Sequence, residues 1–297
     1  MFRAIKSILR LALLLLLSAS LLFFYARYAE PGRLEETKLL LQPGASVPAQ
    51  PLNIVIFADT HFSSTYTPQD FERAVERINA MQPDLVFFLG DLIDNYNDYD
   101  GDPKAISQAL AQIHTTGVCA SAEIYSGNSA GSALQSSGKF AVFGNHDYGG
   151  GLENYYQDIM EAGGFQVLLN ETVALPACNV TITGIDDMII GYGDVSCASI
   201  LPDDTFNIVL AHEPDIITDM TDFSVDFMVS GHTHGGQINL PYLSEQFLPP
   251  YGKIFISGEY RFENQRSTLL YVNRGLGTTK LPLRFMAAPE LTQITFD

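Results

Sequence analysis

From residue 52 onward, five short apolar runs break off into polar words. "LNIVIFA" runs into "DTH", Asp59 to His61; "DLVFFLG" runs into Asp91; "KFAVFG" runs into "NHD", Asn145 to Asp147; "FNIVLA" runs into His212; and "VDFMVSG" runs into "HTHGG", with His232 and His234. Short continuous runs rich in β-branched and aromatic residues read as buried strands. Helical patterns lie between them. Thr67 is placed to cap a helix with Pro68 in its first turn and Phe71, Ala74, Val75 and Ile78 on one face. A second helix opens at "DPKAISQALAQIHTTG", with Ile106, Leu110 and Ile113 inward and Gly117 as its stop. The alternation predicts an α/β fold with its ligand site where the strands end.

Histidine placement sharpens this picture. Of six histidines, His61, His146, His212, His232 and His234 fall in the strand-end words, while His114 near the end of the second helix is explained by a dipole or surface role. Side chains alternate along a strand, so His232 and His234 would converge if the strand continued through them, and Gly235-Gly236 fits a backbone that turns tightly or approaches something closely. Converging neutral imidazoles suit a transition metal. Cys119, Cys178 and Cys197 show no close ligand spacing, which leaves carboxylate, amide and imidazole as the donors. In an exported domain Cys178 and Cys197 could pair and leave Cys119 alone, although connectivity cannot be read from sequence.

The N-terminus follows a different pattern. Arg3, Lys6 and Arg10 precede sixteen uncharged residues, Leu11 to Ala26. Sixteen helical residues rise ~24 Å against a hydrocarbon core of ~30 Å, so a span needs Arg10 and Arg27 to snorkel and Tyr25 and Tyr28 to lie at the interface. A cleaved signal peptide is the rival reading, but no small-x-small site follows the apolar run. Residues 1–30 are therefore expected to be an anchor (helix about 8–28), 31–51 a Pro-rich linker, and 52–297 the main domain. The basic residues before the helix predict a single-pass cell-membrane protein with an extracytoplasmic domain, although Arg27, Arg33 and Lys38 weaken the asymmetry. Removing residues 1–30 should then leave a soluble domain with its metal-dependent function unchanged. With 297 residues, 46% hydrophobic, the chain is globular. Its formal charge of -18 argues against extended nucleic-acid binding.

Taken in order, "DTH", "GDLID", "GNHD", "LAHEPD" and "GHTHGGQ" resemble the calcineurin-like metallophosphoesterases. The last word, with "YVNRGLGTTKLPLRF" and the closing "PELTQITF", is similar more narrowly to membrane-associated bacterial phosphodiesterases that include a type of UDP-2,3-diacylglucosamine hydrolase. The resemblance implies a two-layer mixed β-sandwich flanked by helices, carrying two divalent metals. It implies that Asp59, His61 and His234 hold the first metal and Asn145, His212 and His232 the second, with Asp91 bridging. His146 is implied to be a non-ligand catalytic residue that touches the scissile phosphate, with Asp147 behind the ligands. Mixed nitrogen and oxygen donors suit manganese, iron or zinc.

The expected reaction is hydrolysis of a phosphodiester or pyrophosphate by a metal-bridging hydroxide, on a substrate that the anchor would favour being lipid-linked. A UDP-2,3-diacylglucosamine diphosphatase is the narrower alternative, and a non-catalytic surface-anchored metal-binding module the rival of another class. Residues 119–138, thirteen of twenty being Ser, Gly or Ala, form an apparent insertion that reads as a surface loop or a lid over the site. Arg274 and Arg284 either meet an anionic substrate or brace a loop. "GIDD", Gly184 to Asp187, reads as turn chemistry.

Overall fold

The computed structural model describes residues 2–41, 47–125, 130–240, 244 and 248–296. Among these residues, four α-helices, α1 (Phe2–Phe24), α2 (Pro68–Ala80), α3 (Pro103–Ala111) and α4 (Tyr156–Ala162), accompany fourteen strands in two sheets. One sheet contains, in spatial order, β1 (Glu35–Leu41), β14 (Glu290–Phe296), β2 (Asn53–Phe57), β3 (Leu85–Phe88), β6 (Lys139–Ala141) and β7 (Gln166–Val167). The other contains β12 (Gly258–Arg261), β13 (Leu269–Val272), β11 (Phe227–Ser230), β10 (Phe206–Leu210), β9 (Val180–Gly184), β8 (Glu171–Leu175), β4 (Ser121–Tyr125) and β5 (Ala130–Gln135). The five apolar runs are β2, β3, β6, β10 and β11, each buried on both faces.

Two-residue periodicity explains the layers. Ile54, Ile56, Leu85, Phe87 and Phe140 face Val173, Ile182, Ile208, Leu210 and Val229 in the core between the sheets. The intervening residues, Val55, Phe57, Val86 and Phe88, pack outward against Phe71, Ile78, Ile106, Leu110 and Met160 of the helices. Both faces are therefore covered, and the ends of the parallel strands β2-β3-β6 and β9-β10-β11-β13 are what remains open. Helix α2 begins as its sequence predicts: Thr67 caps it and Asp70 bonds back to the Thr67 backbone N–H.

Three expectations change. The linker expected over 31–51 contains β1, paired in parallel with β14 from Glu35–Glu290 to Leu41–Phe296. Leu39 and Leu41 enter the core while Glu36, Lys38 and Leu40 face out, an alternation typical of an edge strand; residues 42–46, with Pro43, lie outside the described residues. The insertion at 119–138 carries the hairpin β4–β5, which extends the second sheet at the edge away from β10 and β11. Its tip, 126–129, is outside the described residues. The disulfide joins Cys119 to Cys178, and Cys197 is the free thiol. A Cys178–Cys197 pair is thereby excluded.

The N-terminal apolar helix is also less separable from the domain than its sequence suggests. Helical structure runs on from α1 through the π-turn Tyr25–Ala29, and this end rests on the domain. Arg284 N–H donates to Ala26 O at 2.9 Å, and Ala287 N–H donates to the buried Glu30 Oε1 at 2.6 Å. A cut after residue 30 would remove both bonds.

Candidate metal centre

The strand ends bring the sequence-selected residues together. Asp59 and His61 follow β2, Asp91 follows β3, Asn145 and His146 follow β6, His212 follows β10, and His232 and His234 follow β11. Backbone bonds lace these loops side by side: Asp59 N–H to Gly90 O at 3.0 Å, His61 N–H to Asp91 O at 3.1 Å, and Gly231 N–H to His212 O at 3.1 Å. Glycine permits the closest approach, since a Cβ at Gly231 would lie 2.5 Å from Asp59 Oδ2. The strand does not continue through His232 and His234. Their φ angles are 72° and 52°, so they diverge to different groups instead of sharing a strand face. Asp59, His61 and Asp91 also have positive φ, at 49°, 42° and 60°.

Two clusters share no residue: Asp59, His61 and His234 form one, and Asp91, His212 and His232 the other, while a third group, His61, Asp91 and His146, overlaps both. In the first, His61 Nε2 and His234 Nε2 stand 3.0 Å apart, with Asp59 Oδ1 3.9 and 3.5 Å from them. Asp91 Oδ2 lies between the clusters, 3.4 Å from His61 Nε2 and 3.2 Å from His212 Nε2. Donors bound ~2.1 Å from one tetrahedral ion stand about 3.4 Å apart, so these spacings suit a cation between them.

Tautomers support the same fit. His212 Nδ1–H donates to Leu89 O at 2.6 Å, leaving the Nε2 lone pair facing a carboxylate oxygen; Nε2 has no hydrogen-bond partner among the described residues. That face-off requires a proton or a metal. His232 Nε2–H donates to Pro250 O at 2.9 Å and leaves Nδ1 as its donor atom. Asn145 Oδ1 is likewise buried and unpartnered among the described residues. Buried imidazole, carboxylate and amide donors of this kind can hold divalent metal ions.

Charge is concentrated in this interior. Burial and the Asp91 carboxylate together push Asp59 up to about 7, against the opposing pull of His212. Burial would raise Asp91, but His212 and His146 outweigh it and hold the carboxyl well below its usual range. Burial and His212 depress His232 to about 3, and burial and His61 hold His234 well below the ordinary imidazole value. Both imidazoles thus keep lone pairs available at neutral pH.

Supporting residues lie behind these groups. The Asp147 carboxylate accepts the backbone N–H groups of Asp91, Leu92 and Gly144, each at 2.8 Å, and so fastens the β3 loop to the β6 loop. Burial and Asp91 push this carboxyl up to about 8, against those three N–H groups, which favour its ionised form. Asp94 was not singled out by sequence. Its Oδ1 stands 3.2 Å from His61 Nδ1, and its backbone carbonyl accepts His146 Nδ1–H at 2.5 Å. His146 is thereby left with Nε2 open, while its own backbone N–H donates to Asp91 Oδ1 at 2.8 Å.

The arginines brace. Arg274 pairs with Glu35 and Glu290 at 2.9 Å each. Buried Arg284 donates to the carbonyls of Gly277, Ala287 and Arg274, with Nη2 3.4 Å from His234 Nδ1. Asp186 and Asp187 accept turn N–H groups of Tyr192, Ile190 and Gly191, as turn chemistry predicts.

Residues 52–236 match the family model described as calcineurin-like phosphoesterase. A Bacillus subtilis protein named as an uncharacterized metallophosphoesterase is 38% identical over 277 residues, covering 91% of this chain and 88% of that protein. Phosphodiesterase YaeI of Escherichia coli is 29% identical, with 92% of each chain covered. The UDP-2,3-diacylglucosamine pyrophosphatase LpxG of Chlamydia trachomatis is 27% identical, covering 91% of this chain and 92% of LpxG.

Proposed function

Because the chain belongs to the calcineurin-like phosphoesterases and is a hydrolase of phosphoric esters, we propose that it is a membrane-anchored dinuclear-metal enzyme that cleaves phosphodiester or pyrophosphate bonds. Asp59, His61 and His234 would hold one divalent ion, Asn145, His212 and His232 the other, and Asp91 would serve both. The observation that carries this reading is the single oxygen, Asp91 Oδ2, standing within 3.4 Å of a histidine from each cluster. When bound, such ions polarise the phosphoryl group and lower the pKa of water; manganese, iron and zinc all suit the donors.

The protein's own groups do the rest. His146, oriented by the Asp94 carbonyl, offers Nε2 to the phosphate or the departing oxygen. Asp147 holds the loops that carry Asp91 and Asn145 in register. Two divalent cations would bring four positive charges, Asp59 and Asp91 would remove two and an attacking hydroxide a third, and the excess of about one suits a singly charged diester better than a nearly dianionic monoester.

The apolar helix Phe2–Ala29, whose only charges are the basic Arg3, Lys6, Arg10 and Arg27 near its two ends, supports a single membrane span. The basic residues Arg3, Lys6 and Arg10 and the Cys119–Cys178 bond both support an extracytoplasmic domain. Similarity to LpxG supports a lipid-linked pyrophosphate, such as UDP-2,3-diacylglucosamine, as the second substrate reading. The test is turnover by the full chain in detergent with manganese. Bis-nitrophenyl phosphate should outpace nitrophenyl phosphate by at least tenfold, about 1.4 kcal/mol of barrier. A tenfold preference for the monoester would overturn the substrate class.

A further inference from the structure

The loop Thr278–Ala288 lies between the end of the N-terminal helix and the metal centre. On the helix side, the Phe285 ring meets Tyr25 edge-on with centroids 6.3 Å apart, and Arg284 N–H reaches Ala26 O. Tyr25 and Ala26 are the last two of the sixteen uncharged residues that begin at Leu11. On the other side the loop is clamped by Gln237, three residues beyond His234. Gln237 Nε2 donates to Thr279 O and Leu281 O at 3.0 Å each, its Oε1 accepts Thr279 N–H at 3.0 Å, and Phe285 N–H donates to Gln237 O at 2.9 Å. Buried Arg284 fixes the loop from within.

A loop held this firmly still presents large apolar side chains to the outside. Leu281 is 54% and Met286 63% exposed, with Lys280 exposed beside Leu281. Arg27 and Tyr28 of the helix end and Asp70 and Arg73 of α2 line a neighbouring cavity of about 300 Å³ that reaches Gly277 and Thr278, with Arg73 Nη1 donating to Gly32 O at 2.7 Å. Apolar tips flanked by tyrosine and basic residues are suited to the boundary between lipid tails and headgroups.

We propose that this loop is a second membrane contact: Leu281 and Met286 enter the bilayer interface, while Lys280, Arg27 and Arg73 face lipid phosphates. The inference rests on reading the N-terminal helix as a membrane span. Its force comes from depth, because a loop touching Tyr25 and Ala26 must lie where the span leaves the hydrocarbon. Gln237 then ties that depth to His234, so the metal centre opens beside the headgroup layer and receives phosphate carried on a lipid without lifting it far into water.

The chain contains no tryptophan, which makes single-tryptophan probes clean. Leu281→Trp, Met286→Trp, Leu14→Trp in the helix and Val118→Trp beside the disulfide would each be made in the full chain. All four positions are at least 41% exposed. In nanodiscs of phospholipid brominated on the acyl chains, emission at 281, 286 and 14 should fall by half or more relative to unbrominated discs, and emission at 118 should stay within a tenth. Quenching at 14 with positions 281 and 286 matching 118 overturns the inference and spares the anchor. Loss of quenching at 14 as well overturns the membrane-span reading and the inference with it. A photoactivatable lipid provides a check on the unaltered chain: label within residues 280–286 supports the contact, and label confined to residues 2–24 refutes it.

Discussion

Removing the Cys119–Cys178 bond should destabilise the domain strongly and leave its chemistry alone. The bond closes a segment with a sequence separation of 59 residues. The chain-entropy relation assigns a closed loop of that length about 4 kcal/mol at 25 °C, with 2–4 kcal/mol the usual measured range. A domain of this size unfolds in urea with a slope of about 3 kcal/mol per molar, so the midpoint should drop by about 1 M when the bond is absent. The cysteines lie where β4 and the β8–β9 connection meet, at the strand ends opposite those carrying Asp59 and His212. Diester turnover below the transition should therefore change less than twofold. Urea titrations with and without a phosphine reductant give the first measure, and Cys119→Ala the second; Cys197→Ala is the control. A midpoint shift below about 0.3 M on reduction, or an equal shift from Cys197→Ala, would refute the pairing argument. A loss of turnover without loss of stability would refute the separation of this edge from the site.

Asp91→Asn should lose metal and activity together, whereas His146→Ala should keep both ions by elemental analysis and lose about 10²- to 10⁴-fold in turnover. That loss should be fuller on an alkoxide-leaving substrate than on nitrophenolate, which needs little protonation, and metal loss in His146→Ala would reassign the residue as a ligand. Asp147→Asn should weaken metal affinity and stability, because an amide cannot accept three N–H groups as the carboxylate does; about 3 kcal/mol is expected in urea. Deleting residues 1–24 should preserve metal affinity, while deleting residues 1–33 should reduce it, since only the longer cut removes the Ala26 and Glu30 contacts to the Arg284 loop. Equal affinities, by calorimetry, would show that the helix end plays no part in bracing.

The strands nearest the site were readable because they are buried on both faces and so appear as uninterrupted apolar runs, each stopped by a group able to bind metal. Thr67 and Pro68 marked α2 because capping is local chemistry. Strand β1 escaped because it is an edge strand, half solvated and set among prolines, so its alternating leucines resemble a tether. The hairpin β4–β5 escaped because Ser, Gly and Ala carry little strand signal, and the disulfide because its partners meet only after two sheets have formed. At the centre, sequence supplied the residues but not their directions. Alternation predicted that His232 and His234 would share a face, yet positive φ at both turns them to separate clusters. Asp94 stayed hidden because half of its role belongs to a backbone carbonyl, which no side-chain pattern encodes.

Asp59, His61, Asp91, His232 and His234 all hold left-handed backbone conformations. Each such residue costs about 1–3 kcal/mol, and together they approach the net stability of a whole domain. Conformations of this kind persist only where the surroundings leave no alternative, and here the laced loops between two sheets do so. Such a cage has little freedom to widen or contract by turning its backbone. An ion of the wrong radius would have to accept long bonds or dislodge a strand end. With ions bound, discrimination among cations would then follow from the stiffness of the fold, and donor chemistry, which several metals share, would matter less.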